Sequence, residues 1–167
     1  MYMQEEILDL VNEQDEVIGS LSRAEIYRQG LSNFRVVHAF LVNSEGKLWI
    51  PQRTAFKKIA PNGLDYSVAG HVESEESYET SFRRETQEET GIDTATVPWR
   101  ELGKLTPADG VHFFEMVYEI QSNEEPEYNR TDFVGANWYT PAEALERLQQ
   151  GGPHKMDLAF TIAHFYL

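Results

Sequence analysis

Short apolar stretches alternate with polar turns along the whole chain, and the period of each stretch assigns an element. Ile7–Val11 and residues 16–21 read as two short strands around the polar turn 12–15. Ser22-x-x-Glu25 has the form of a capping box, opening a short helix that Gly30 ends. Residues 34–43 and 47–52 read as a hairpin around Ser44-Glu45-Gly46, and the first strand is apolar enough to be buried on both faces. Residues 66–69 form a further short strand. Tyr78, Phe82 and Thr86 then recur at helical spacing, with Ser74, Glu75 and Glu76 suited to a helix start and Gly91 to its stop. Trp99–Leu105 and residues 113–121 and 136–139 follow as strands. Thr140 caps a predicted helix over 141–150 that stops at Gly151-Gly152, and residues 156–166 close the chain as an amphipathic helix. Strands interspersed with a few helices predict an α/β (α+β) fold with a mixed sheet.

The 167 residues fit one domain, 1–167, with a sizeable core, and no repeat or low-complexity linker divides it. Residues 1–31 are long enough for a small accessory layer of two strands and a helix, shaping either a substrate pocket or an interface. An apolar content of 41% with 12% aromatics excludes disorder. The balance of 28 acidic against 14 basic residues, a net charge of −14, would repel a polyanionic duplex, so no nucleic-acid partner is expected. There is no cysteine and hence no disulfide. No basic N-terminal start leads into an apolar run and no apolar stretch approaches membrane-spanning length, so the expectation is a soluble, cytoplasmic protein without a membrane partner.

The acid is not spread evenly. Between Gly70 and Ile92 the chain places Glu76, Glu85, Glu88 and Glu89 around a single arginine, Arg84. At about 100° per residue, Glu85, Glu88 and Glu89 fall within an arc of roughly 100° on one helix edge. A solvated surface helix gains from opposite charges at i, i+4, whereas Glu85 and Glu89 are like charges there. Converging carboxylates repel unless a cation sits among them, and Mg²⁺ takes such oxygen ligands while sharing itself with substrate phosphates. The spacing points to metal-assisted phosphate chemistry.

The same residues resemble the Nudix box, G-x5-E-x7-R-E-U-x-E-E-x-G-U with U apolar. Gly70, Glu76, Arg84, Glu85, Glu88, Glu89, Gly91 and Ile92 are in register, and Thr86 departs from the usual aliphatic residue. The resemblance implies a Nudix-type α/β/α sandwich with a mixed central sheet that hydrolyses a nucleoside diphosphate linked to another group, with Mg²⁺ as cofactor and Mn²⁺ as a substitute. Residues 9–19, 36–53 and 61–71 are similar to the branch containing isopentenyl-diphosphate isomerase, and closer to its hydrolase members. The isomerases carry a cysteine where Ala69 stands, which disfavours isomerase chemistry. A non-catalytic module that senses a nucleotide or binds a protein is the alternative class; such modules lose box glutamates, and here all are present. Family members are often dimers, so a homodimer is the assembly the resemblance suggests.

By this resemblance Glu85, Glu88 and Glu89, with the backbone carbonyl of Ala69 or Gly70, are the metal ligands. Glu85 and Glu88 are the catalytic candidates, and either Glu85 or a residue in a later loop activates water. Gly70, Glu76, Arg84 and Gly91 are the structural part of the box, with Glu76 and Arg84 pairing across loop and helix. Arg53 could bind a phosphate as a fork or simply end its strand in solvent. Lys57 and Lys58 are open to the same two readings. His71 is either a metal or phosphate contact or a hydrogen-bonded structural residue. Glu115 and Glu119 share one face of a strand, where Glu115 is a candidate substrate contact and solvent exposure is the alternative. Phe40, Tyr66, Phe114 and Trp138 could stack on a base or fill the core, and Asp65 could meet substrate or cap the turn 62–65.

Overall fold

The computed structural model describes residues 5–167, so the first four residues of the expected 1–31 layer lie outside the described part. In chain order the elements are β1 (Ile7–Val11), β2 (Val17–Ser22), α1 (Arg23–Gln29), β3 (Arg35–Val42), β4 (Leu48–Arg53), β5 (Val68–His71), α2 (Tyr78–Thr90), β6 (Trp99–Leu105), β7 (Phe114–Gln121), β8 (Phe133–Tyr139), α3 (Pro141–Gln149) and α4 (Leu158–Tyr166). A six-stranded sheet runs β6-β7-β3-β4-β8, with β5 joined to β3, and β1-β2 form a separate hairpin. The β3–β7 pair is parallel over Arg35–Val42 and the other pairs are antiparallel, so the sheet is mixed, as the patterning predicts.

Alternation along β3 and β7 divides the core. Val37, Ala39, Leu41, Met116, Tyr118 and Ile120 face α2 and its Phe82, which stacks on Tyr118 at 4.0 Å between centroids. Phe40 and Val117 face the opposite way, onto Ala144 and Leu148 of α3 and Leu158 and Ile162 of α4. The result is an α/β/α sandwich. No helix among the described residues is long and apolar enough to cross a membrane.

The predicted β3–β4 hairpin opens as soon as it forms, because Val42↔Leu48 is its one laddered pair. The two strands diverge and residues 63–71 fill the wedge between them. Asp65 N–H donates to the Pro51 carbonyl of β4 (3.0 Å), whereas Val68–His71 pair with Val36–Ala39 of β3. Ser67 sits at the changeover: its hydroxyl accepts from Leu41 N–H (2.9 Å) and donates to the Trp49 carbonyl (2.6 Å). This changeover moves the strand start from the expected 66 to Val68.

Three further boundaries shift for local reasons. Ser77, not Ser74, caps α2, its hydroxyl accepting from Thr80 N–H; Ser74 and the Glu75 N–H are instead held by Asp9 of β1, and Glu75 is left-handed at φ 72°. β8 begins at Phe133 rather than 136, because β4 continues alongside it to Arg53. α4 begins at Leu158 rather than 156, after Asp157 adopts φ 65° and binds His112. At α1, Ser22 accepts the Glu25 N–H, but the Glu25 carboxylate turns to Arg28 and Gln29, leaving only half of the expected capping box.

Thr86 is fully buried in α2, and among the described residues its hydroxyl has no hydrogen-bond partner. Thr86→Val keeps the shape and removes an unsatisfied polar atom, so it is expected to stabilise the fold by about 1 kcal/mol. A denaturant melt showing a loss would mean the hydroxyl has a partner in solution.

Candidate active site

The wedge segment delivers Ala69, Gly70 and His71 to one end of the sheet, where α2 crosses β5. Glu89 reaches back so that its Oε2 accepts the Ala69 N–H at 2.9 Å. Gly70 lies against Glu85 so closely that a Cβ there would sit 2.2 Å from the Glu85 carboxyl carbon. The box glycine is therefore a matter of space, not of turn geometry. Gly91 does need its conformation: it ends α2 at φ 70°, its N–H donating to the Gln87 carbonyl.

Arg84 organises the acid. Its Nε and Nη2 hold the two Glu76 oxygens at 2.9 and 2.8 Å, and Nη1 reaches Glu85 (2.8 Å) and Glu88 (3.3 Å). Nη2 also donates to the His71 carbonyl (3.3 Å), tying helix to strand. Glu76 in turn accepts the Glu73 N–H, so the loop before α2 closes around the arginine. Glu89 receives nothing from Arg84. Burial pushes the Glu85 carboxyl up to about 7 against the pull of Arg84, with the Glu88 charge adding to the rise. Burial also raises Glu89 well above the usual carboxylate range, and the neighbouring Glu85 charge adds to it. The site holds more negative charge than its one arginine can neutralise.

Glu85, Glu88 and Glu89 line a cleft of about 510 Å³ together with Ala69, Gly70, His71 and Arg53. The same cleft is lined by Lys57, Lys155 and Arg23, with Tyr27, Ile59, Phe113 and Met156 adding apolar surface. Thus the acidic helix edge and three basic side chains from separate segments face the same space. Among the described residues no three acidic or histidine side chains draw close enough to enclose an ion by themselves. A hard divalent cation nonetheless suits this donor set, since Mg²⁺ keeps several waters and substrate oxygens in its shell and needs only one or two carboxylates from the protein.

A family model described as the NUDIX domain matches residues 32–158. The chain belongs to the Nudix hydrolase family. A protein named uncharacterized Nudix hydrolase all7351, from Nostoc sp., is 51% identical over 162 residues, covering 96% of each chain. A Nudix hydrolase from Deinococcus radiodurans is 42% identical over 98% of this chain and 96% of its own. The crystal structure of DR0079 from Deinococcus radiodurans superposes with a TM-score of 0.92 at 42% identity, covering 97% of this chain and 100% of that one. The MutT protein from Methanosarcina mazei Go1, at 16% identity and a TM-score of 0.56 over 78% of this chain, shares the fold.

The Nudix match begins at residue 32, yet the layer before it contributes Glu6, Arg23 and Tyr27 to the cleft. That layer is firmly docked. Asp15, in the β1–β2 turn, accepts from Arg35 (2.7 Å), Tyr78 (2.8 Å) and Lys104 (2.6 Å), which belong to β3, α2 and β6. Burial alone would raise Asp15, but these bonds win and hold its carboxyl below the usual range. The described part of this layer lines the cleft through Glu6, Arg23 and Tyr27.

Other expected residues take different places. Arg53 lines the cleft, but its guanidinium is engaged by Asp65 (2.6 Å) and the Ile59 carbonyl (2.8 Å). Asp65 is 2% exposed and also accepts the Tyr66 N–H. Lys57 pairs with Asp132, and Lys58 is outside the lining. His71 Nε2 meets the Tyr27 hydroxyl at 2.7 Å, and burial, with the charges of Arg23 and Lys155, lowers its pKa to about 3, so it is neutral at working pH. Glu115 and Glu119 share a face as expected, but both are largely buried and turn toward α4, accepting from Thr161 (3.2 Å) and Tyr166 (2.7 Å), with Glu119 also held by Arg100 (3.1 Å). Phe40, Tyr66 and Phe114 are buried, and Trp138 is half-buried against the α2-side core beside a separate surface depression, so none of the four lines this cleft.

Several lining residues had no role in the sequence reading, and three of them are polar groups close to the box: His38, Tyr27 and Lys155. His38 lies on the cleft wall, stacked on Tyr66 at 3.7 Å, with its Nδ1 3.0 Å from Glu115 Oε2 in a poorly aligned contact. A histidine within the otherwise apolar run of β3 was the available signal. Tyr27 and Lys155 carried none, because only the tertiary fold brings them to the box.

Proposed function

We propose that this Nudix hydrolase is a Mg²⁺-dependent pyrophosphohydrolase cleaving a phosphoanhydride bond in a small substrate of the nucleoside-diphosphate type. The observation that carries the reading is one cleft lined both by the box carboxylates and by basic side chains from other segments. A diphosphate held there would meet metal at the carboxylates and cationic groups at the basic side chains, and its cleavage is mainly a matter of positioning and charge neutralisation. Glu85, Glu89 and Glu88, with the Ala69 carbonyl, would hold the cation, which neutralises phosphate charge and lowers the pKa of a bound water. Arg84 orients Glu85 and Glu88, and Glu76 holds Arg84. The Ala69 N–H fixes the rotamer of Glu89. Glu85, the least solvated of the carboxylates on Arg84, is the residue assigned to take the proton of the attacking water. Neither a nucleic acid nor a membrane enters this reading. The cytoplasm is the assigned compartment, and a second copy of the chain is the one macromolecular partner admitted.

The deciding experiment measures phosphate and monophosphate release from nucleoside di- and triphosphates, sugar nucleotides and isoprenoid diphosphates, with and without Mg²⁺. Metal-dependent turnover of one class supports the reading. Binding without turnover of any compound would make the chain a sensor instead.

Metal binding should also carry a proton signature. Folded Glu85 titrates near 7 against an ordinary 4.5, so the metal-free folded state holds a proton that the unfolded chain releases. That contribution to stability is complete below about 4.5 and is lost as pH rises through about 7. A cation replacing the proton should bind about tenfold more tightly for each unit that pH rises toward 7, with the proton held by the raised Glu89 adding to the dependence. Titration calorimetry at pH 6 in buffers of different ionisation enthalpy should register proton release on adding Mg²⁺; affinity flat from pH 5.5 to 8 would refute carboxylate binding at this site.

A further inference from the structure

Among the basic side chains of the cleft, Lys155 is distinguished by its partners. Arg53 is paired with Asp65 at 2.6 Å, Lys57 with Asp132 at 2.6 Å and Arg23 with Glu6 at 3.4 Å. Among the described residues the Lys155 ammonium has no carboxylate within salt-bridge distance and no hydrogen-bond acceptor, although the chain carries 28 acidic residues. Its backbone is nevertheless fixed. Lys155 N–H donates to the Leu64 carbonyl (2.8 Å) and Leu64 N–H to the Pro153 carbonyl (3.1 Å). The Lys155 carbonyl accepts from Leu158 N–H (3.3 Å), so the residue is pinned between the wedge segment and the start of α4. The left-handed Asp157, locked by His112, sets the turn that follows. A half-buried lysine held on stitched backbone, lining the same cleft as three glutamates but bound to none, is arranged for an anion that arrives from outside.

Resting on the diphosphate reading above, we propose that Lys155 is the phosphate anchor of the cleft: its ammonium takes a non-bridging oxygen of the substrate phosphoryl group that faces away from the Glu85–Glu89 wall, and so favours two linked phosphoryl groups over a monoester. The charge of Lys155 already acts across this space, opposing the rise at Glu89 and helping to keep His71 neutral. A lysine suits the role because it is a compact point charge with three donors, able to follow a phosphoryl oxygen without a fixed fork. A monoester can satisfy one set of groups, whereas a diphosphate satisfies both.

The test uses methylenediphosphonate, a diphosphate mimic that cannot be hydrolysed, and methylphosphonate as the single-phosphoryl control. Binding to the full chain with Mg²⁺ is measured by titration calorimetry. Lys155→Met should weaken the diphosphonate by about tenfold to a hundredfold, as expected for a lost charge-assisted hydrogen bond, with little change for the monophosphonate. KM for the substrate should rise by a similar factor while kcat moves only a few-fold. Lys155→Arg, which keeps the charge, should retain most of the affinity, and serves if the methionine variant folds poorly. Lys47→Met, in the exposed β3–β4 turn, is the charge-matched control. Diphosphonate affinity in Lys155→Met within twofold of the parent would overturn the proposal while leaving the hydrolase reading intact. A parent protein that neither binds the diphosphonate nor turns over any diphosphate would end both.

Discussion

Glu89→Gln is expected to lower kcat by about 10²–10³-fold while leaving the fold as stable as before or more so. On the proposed metal role the two effects have opposite signs, since the carboxylate would serve a bound cation at the expense of the empty site. Losing one ligand of a catalytic cation removes several kcal/mol of transition-state stabilisation, each 1.4 kcal/mol being about tenfold in rate. Glutamine keeps an oxygen to accept the Ala69 N–H, so the contact that positions the side chain survives. Burial and the Glu85 charge raise the Glu89 carboxyl well above its ordinary value, so ionisation of the unfolded chain draws stability away as pH rises. The glutamine cannot ionise, and the melting temperature of the metal-free variant should exceed the parent's at pH 8 by more than at pH 5. Kinetics with Mg²⁺ and melts without it make the comparison. A variant that turns over normally would remove Glu89 from the metal site.

Gly70→Ala should cost both activity and stability. The added methyl would lie 2.2 Å from the Glu85 carboxyl carbon and 2.5 Å from its Cγ and Oε1, so Glu85 must leave its place. Its carboxylate is the mobile end of a side chain, which permits folding, but leaving breaks the Arg84 contact at 2.8 Å. Overpacking of this kind costs about 1–3 kcal/mol. A displacement of about 1 Å at a reacting group can cost about 10²-fold in rate. Gly135→Ala in β8, where an added methyl meets nothing within 4 Å, is the matched control and should change little. If Gly70→Ala worked at the parental rate, Glu85 would be shown to act from more than one position.

The parts legible in the sequence were those encoded locally. The resemblance to the box paired Glu76 with Arg84 across loop and helix, and helix geometry set Glu85 and Glu89 one turn apart. The mixed sheet followed from strands interspersed with helices, and the sandwich from the resemblance. What failed to show was decided by distant partners. Ser74 has the chemistry of a helix cap, but Asp9 of β1 claims it, and Ser77 takes over. The β3–β4 hairpin looks closed in sequence and opens in the fold because residues 63–71 outcompete β4 for the edge of β3. Glu115 has the pattern of a half-exposed strand residue; it is covered by Thr161, some forty residues further along the chain. Lys155 and Tyr27 reach the cleft from opposite ends of the chain, and no local periodicity could bring them together.

The wedge has a mechanical consequence. With β3 and β4 laddered at a single pair, the sheet behaves as two leaves, β6-β7-β3 and β4-β8, bound along a spine made of residues 63–71. The spine is also the floor of the cleft, since Ala69, Gly70 and His71 belong to it. A ligand gripping that floor and the Lys155 segment stitched to Leu64 therefore works as a clasp across both leaves. Filling the cleft should slow amide exchange far out on β4 and β8, at residues the ligand never touches.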